Sequence, residues 1–263
     1  TVTAKAKNGT ASYDLAVTVT EATGSGSFNI VGDTLVSYSG TESTVTIPDG
    51  VRVIGENAFK NNDYVLNVIC PDSLEEIGYR AFYDCDNLQS VSLPETMKVI
   101  NEGAFYYCKN LKTLGHTDDG VLPKGLTSIG ANAFYGWKAL KAITIPQSVT
   151  SLGGYAFYDC NAAASIDCGS LTVIPERAFY NAKAVKTVKL SDNVTSIGER
   201  AFYSCSLLET INWPSQLKTI GKQAFYYARK LQDLDFSGTQ LESIGNSAFS
   251  QPYEARTLAF PDT

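Results

Sequence analysis

One histidine, six cysteines and fifteen tyrosines are the side chains here suited to acid–base, thiol or recognition chemistry. His116 stands in the run His116-Thr117-Asp118-Asp119-Gly120, where an acid/base or a metal ligand would be the chemical reading. A lone imidazole on a polar excursion lacks the supporting shell that a metal site needs, so the run reads as a solvated loop. Neither Gly-x-x-x-x-Gly-Lys nor Gly-x-Ser-x-Gly nor His-Glu-x-x-His occurs. No pair of carboxylates repeats in phase as a glycan-cleaving cleft would need. The expectation is a chain without catalysis, cofactor or metal.

The other candidates are defined by spacing. Ala-Phe recurs with its phenylalanine at Phe59, Phe82, Phe105, Phe134, Phe157, Phe179, Phe202, Phe225 and Phe249. Tyrosine follows it at Tyr83, Tyr106, Tyr135, Tyr158, Tyr180, Tyr203 and Tyr226, and Tyr107 and Tyr227 add a second row. If each phenylalanine points inward, its neighbour points out or along a rim, and stacked coils build an aromatic ladder. Such a ladder is either a ligand face or a ridge of padding whose hydroxyls bond the next coil. Cys85, Cys108, Cys160 and Cys205 each fall three residues after a repeat phenylalanine, where other copies carry Trp137, Ala182 and Ala228. Cys70 and Cys168 occupy the strand position held elsewhere by Leu93, Ile145 and Leu190. All six therefore read as small buried hydrophobes. No Cys-x-x-Cys spacing for zinc is present. Only Cys85 and Cys108 share a phase in adjacent coils, where a bridge is geometrically open.

The elements that position these residues follow from the repeat itself. Four residues before each alanine stands an aliphatic, from Ile54 to Ile244, followed by glycine except at Asn101 and Pro175. Upstream lies an aliphatic or Trp before proline, as in Ile47-Pro48, Leu93-Pro94 and Trp213-Pro214. In the unit Leu88-x-x-Val91-x-Leu93-Pro94-x-x-Met97-x-x-Ile100-x-x-x-Ala104-Phe105, the alternation Val91-x-Leu93 predicts a short half-buried strand that Pro94 ends. The Ile-Gly pair predicts a second short strand closing in a bend where glycine supplies unusual dihedrals. One coil cannot bury its own apolar face, so neighbours must stack.

This unit closely resembles the BspA-like, or Treponema-type, leucine-rich repeat of bacterial surface proteins, from about Phe28 to Thr263. It lacks the buried asparagine of the commoner Leu-x-x-Leu-x-Leu-x-x-Asn pattern. The resemblance implies a mainly β protein: a right-handed leucine-rich-repeat solenoid of about nine 22–24-residue coils with short strands and turns. It also implies a cell-surface or secreted location and host-protein, matrix or carbohydrate partners.

Three segments are expected. Residues 1–22 hold Val2, Ala4 and Ala6, then Asn8-Gly9, then Leu15, Val17 and Val19. That is a hairpin signature resembling the end of a bacterial immunoglobulin-like domain, or else a leftover without structure. Residues 23–53 are a linker and strand-rich cap, and 54–263 the solenoid. At the far end Thr257-Leu258-Ala259-Phe260-Pro261 restarts the strand-Pro element. The expectation there is a chain that continues in a longer protein, or end-to-end self-association. Asn8-Gly9-Thr10 and Asn193-Val194-Thr195 match the glycosylation triplet, the first better read as a turn.

Charge narrows the classes. With 27 acidic against 21 basic residues the net charge is −6, the wrong sign for nucleic acid. No apolar stretch approaches the roughly 20 residues of a membrane helix, so direct insertion is not expected. The reading is a binding or adhesion module acting through an extended face, with an architectural stalk as the alternative.

Overall fold

The computed structural model describes residues 26–115 and 122–261. The hairpin reading of Thr1–Thr20, most of the linker, and His116 lie outside the described residues. Those described form a β-solenoid with strands and turns and no helix among them.

Each coil has three sides. The first carries two-residue strands centred on the repeat aliphatic: Val53–Ile54, Glu76–Ile77, Val99–Ile100, Ser128–Ile129 and Ser151–Leu152 pair in parallel. Val173–Ile174, Ser196–Ile197, Thr219–Ile220 and Ser243–Ile244 form a second such ladder. Register places each aliphatic opposite the next, Ile77 beside Ile100 and Ile197 beside Ile220. The pattern follows from burial: a slip of one residue would turn every aliphatic to solvent.

The second side carries the Val91-type strands. Thr44–Thr46, Asn67–Ile69, Ser90–Ser92 and Thr113–Leu114 form one parallel ladder, and Ile143–Thr144, Ser165–Asp167, Thr187–Lys189 and Thr210–Ile211 another. Proline ends this side as expected and also starts the next turn. The carbonyl of Pro94 accepts the N–H of Met97 (3.2 Å), as Pro48, Pro71, Pro123, Pro146 and Pro214 do for residues three further on. Proline's fixed φ suits the first corner of such a turn.

The third side is the Ala-Phe turn. In every coil the residues two before and two after the phenylalanine have positive φ: Arg80 (51°) and Asp84 (57°) around Phe82, Arg200 (54°) and Ser204 (59°) around Phe202. Alternate N–H groups then leave the turn for the next coil, as Arg80 to Glu102 (3.0 Å), Phe82 to Ala104 (2.8 Å) and Asp84 to Tyr106 (2.8 Å). The N–H groups between them close the coil's own turn, Ala81 to Gly78 (3.2 Å) and Tyr83 to Arg80 (3.0 Å). Left-handed backbone costs an L-residue about 1 kcal/mol or more, which the three inter-coil bonds and the burial of phenylalanine offset.

The expected glycine bend is corrected here. The glycines after the repeat aliphatic do not have positive φ. They are small because coils touch: a Cβ on Gly78 would stand 2.7 Å from Ile54 O, and one on Gly198 would stand 2.7 Å from Glu176 N. Close backbone approach, not an unusual dihedral, selects glycine at this position.

Between the three sides runs one continuous core. Phenylalanines from Phe59 to Phe225 are at most 2% exposed and stack face to face, with centroids 4.8 Å apart at Phe59–Phe82 and 5.8 Å at Phe157–Phe179. Burying each ring contributes about 1.5–3 kcal/mol. Tyr38 and Phe28 extend the column at one end, from the antiparallel pair Ser27–Val31 and Thr34–Ser39. Thr34–Ser39 pairs in parallel with Val53–Ile54, so the hairpin covers the first coil's edge. Phe249, in the last repeat, is only half-buried.

Candidate functional site

Position after the repeat phenylalanine fixes where each tyrosine goes. The phenylalanine turns into the core, the next side chain leaves along the rim, and stacked coils align these rims. Tyr83, Tyr106, Tyr135, Tyr158, Tyr180, Tyr203 and Tyr226 accordingly form one uninterrupted stack. Centroid spacings run from 4.4 Å at Tyr135–Tyr158 to 5.2 Å at Tyr203–Tyr226, and all planes but Tyr106–Tyr135 lie within 8° of parallel. All seven predicted tyrosines are therefore brought together. The second row is set edge-on: Tyr107 crosses Tyr106 at 78°, and Tyr227 crosses Tyr226 at 83°.

Every ladder ring is half-buried. Burial, then the neighbouring Tyr158, pushes the Tyr135 hydroxyl well above the usual tyrosine range. Burial raises Tyr106, Tyr180 and Tyr203 in the same direction. At these spacings the ring faces cover one another and no planar group fits between them. What the ladder offers outward is a line of ring edges and hydroxyls. Cations flank it: Lys60 lies 5.6 Å and Arg80 5.1 Å from the Tyr83 ring centre, and Arg177 lies 5.1 Å from Tyr155.

The cysteine slot is inside. All six cysteines are free, including Cys85 and Cys108. Five are buried, and Cys70 is corrected to partly exposed. Its N–H bonds the Ser92 hydroxyl (3.2 Å), whereas Ile47 at the same place bonds the backbone carbonyl of Ile69 (2.9 Å). The slot is also more than a hydrophobic filler. Sγ of Cys85, Cys108, Cys160 and Cys205 donates to the carbonyl of Phe59, Phe82, Phe134 and Phe179, at 3.0, 3.0, 3.4 and 3.5 Å. Trp137 in the same slot donates Nε1 to Leu111 O (2.5 Å). Burial pushes the thiols up, Cys85 and Cys205 to about 12.

No group of three or more His, Cys, Asp or Glu side chains among the described residues could hold a metal ion. No helix among them is long and apolar enough to cross a membrane. Sequence reasoning missed one feature of the rim. Gly103 interrupts a row of larger side chains, and a cavity of about 200 Å³ opens there beside Tyr83 and Tyr106. The signal was present: every other coil carries a side chain two residues before its phenylalanine.

Comparison with known proteins agrees with this architecture. The chain matches the BspA type leucine rich repeat region over residues 29–161, 116–207 and 165–263. Among solved structures it is similar to a leucine-rich-repeat protein of T. pallidum (26% identity, TM-score 0.60), over 66% of this chain and 82% of that one. A leucine-rich-repeat protein from Eubacterium ventriosum aligns at 18% identity and TM-score 0.52, over 92% and 96% of the two chains. A leucine rich cell surface protein from Faecalibacterium prausnitzii aligns at 23% identity and TM-score 0.38, over 93% and 95%. No curated protein matches. With the family match spanning most of its length, this chain belongs to the BspA-type leucine-rich-repeat family.

Proposed function

We propose that this chain is a non-catalytic binding or adhesion module of a bacterial surface or secreted protein, recognising a protein or glycan through the extended tyrosine rim. The observation that carries the reading is the unbroken stack from Tyr83 to Tyr226. Tyrosine edges combine an apolar ring with a hydrogen-bonding tip and have little rotamer freedom to lose. Repetition at each coil lets an elongated partner meet several at once, so weak contacts add up. Nucleic acid is not part of this reading, because the net charge is −6. Leu258, exposed within the strand Thr257–Ala259, and Phe260 just after it support contact between copies as a further partner mode.

A second reading, an architectural stalk presenting other domains, is supported by the half-burial of the same rings against one another. The variant Tyr135→Ala/Tyr158→Ala/Tyr180→Ala separates the two. It is screened beside the parent on immobilised matrix proteins and a glycan array, with thermal unfolding in parallel. Loss of a captured partner with the fold retained supports recognition. Unchanged binding assigns the ladder to padding, and unfolding of the variant assigns it to architecture.

A further inference from the structure

The side chains two residues before each repeat phenylalanine form a row along the rim: Asn57, Arg80, Gly103, Asn132, Tyr155, Arg177, Arg200, Gln223 and Ser247. Two neighbouring pairs of the row bond each other. Arg177 donates to the Tyr155 hydroxyl, and Arg200 Nε donates to Gln223 Oε1 (2.7 Å). Arg177 and Arg200 also meet Glu199, at 3.8 and 3.4 Å.

The row lacks a side chain at one place. Gly103 has no side chain, and its neighbours on either side, Arg80 and Asn132, have no row partner. The Arg80 stem reaches across to Gly103, where a Cβ would stand 3.2 Å from Arg80 Cγ, and its guanidinium lies 4.8 Å from the Tyr79 ring centre and 5.1 Å from that of Tyr83. Among the described residues, the guanidinium of Arg80, the carboxylate of Glu102 and the carboxamide of Asn132 make no hydrogen bond or ion pair with protein. These three residues line the same cavity of about 200 Å³, with Tyr83, Tyr106 and the backbone of Gly103 beneath the Arg80 stem completing it. The size is that of one sugar ring.

We infer that this notch is a binding subsite for a neutral pyranose unit. Vicinal sugar hydroxyls both donate and accept, and the notch offers a donor-only guanidinium, an acceptor-only carboxylate and an amide that does both. Glu102 and Asn132 lose no internal hydrogen bond when they turn to a ligand, and Arg80 can donate its N–H groups while its guanidinium stays against the two rings. The Tyr83 and Tyr106 edges supply the apolar wall that such pockets need beside their few polar groups. Glu102 sets the specificity. A uronic acid would bring a second carboxylate against it, so the neutral sugar is favoured. The notch uses two ladder tyrosines at one end and none of Tyr135, Tyr158 or Tyr180, so it stands or falls separately from recognition along the whole rim.

The test uses saturation-transfer NMR on the full chain with the methyl glycosides of glucose, galactose, mannose and N-acetylglucosamine, and with glucuronate as the acidic counterpart. At least one neutral glycoside should give a signal at millimolar concentration, and glucuronate a weaker one. Gly103→Gln should abolish the signal, because the new amide can meet Arg80 as Gln223 meets Arg200. That variant should fold, since Gln223 occupies the same row position at φ 54° against 62° for Gly103, and the one tight contact of a new Cβ, 3.2 Å to Arg80 Cγ, is with a side chain that can shift. Glu102→Gln should narrow the gap between neutral and acidic sugars. Tyr135→Ala/Tyr158→Ala/Tyr180→Ala, where folded, should leave the signal intact. No signal from any neutral glycoside, a stronger one from glucuronate, or a signal surviving in folded Gly103→Gln overturns the proposal.

Discussion

The thiol of Cys108 donates to the carbonyl of Phe82, one coil back, at 3.0 Å. That carbonyl belongs to a phenylalanine whose own N–H is committed to Ala104 in the next coil. One side chain thus ties the turn holding the phenylalanine column to the coil stacked upon it. An apolar residue of equal size would fill the space without making the bond, which accounts for cysteine in four coils.

Thiol chemistry should report this burial. In native protein near pH 8 a disulfide-exchange reagent should find few reactive groups, because burial holds the thiols protonated, Cys85 and Cys205 up to about 12. Denatured protein without reductant should show six. The pH dependence has a definite sign. A thiol with its folded value raised above the unfolded one, about 8.5, keeps more protons folded than unfolded. The thiols' contribution should therefore be level below about pH 8.5 and be lost as pH rises toward 12, with raised tyrosines such as Tyr135 adding to the loss. A denaturation midpoint that rises from pH 9 to pH 11 would contradict this.

The phenylalanine column should be strongest in its middle. Phe157 is 1% exposed and has ring partners on both sides, Phe134 and Phe179. Phe157→Ala should cost about 3–5 kcal/mol, read as a drop in urea midpoint at constant slope. Phe249 is half-buried, with Phe225 stacked on one face and Trp213 and Phe236 at other angles. Phe249→Ala should cost visibly less. Equal midpoints for the two variants and the parent would rule out a load shared along the column.

Two glycines that differ only in surroundings test why glycine follows the repeat aliphatic. A Cβ at Gly198 would stand 2.7 Å from Glu176 N and 2.8 Å from Pro175 C, both backbone atoms that cannot turn away. Gly198→Ala should therefore lose about 1–3 kcal/mol as overpacking does. A Cβ at Gly238 meets nothing within 4 Å, so Gly238→Ala should be neutral or gain slightly. Thermal melts of the two variants decide it: similar shifts would return the glycines to a conformational role.

What the residues alone determined is what recurs along the chain. Ala-Phe, the repeat aliphatic and the proline recur in phase, so the coil, its inward phenylalanine and the alignment of seven tyrosines were all readable. Each needs only the residue's own polarity and its place in the period. The tertiary structure decided whatever depends on the coil one period away. Asn57, Arg80, Tyr155, Gln223 and Ser247 share positive φ without sharing a residue type, because the inter-coil bonds impose that conformation. Gly78 and Gly198 answer to the backbone of the preceding coil, and the Cys108 thiol to the carbonyl of Phe82. Gly103 was visible as a missing side chain. Stacking alone made it a notch, by placing Arg80 and Asn132, 23 and 29 residues away, on its two sides.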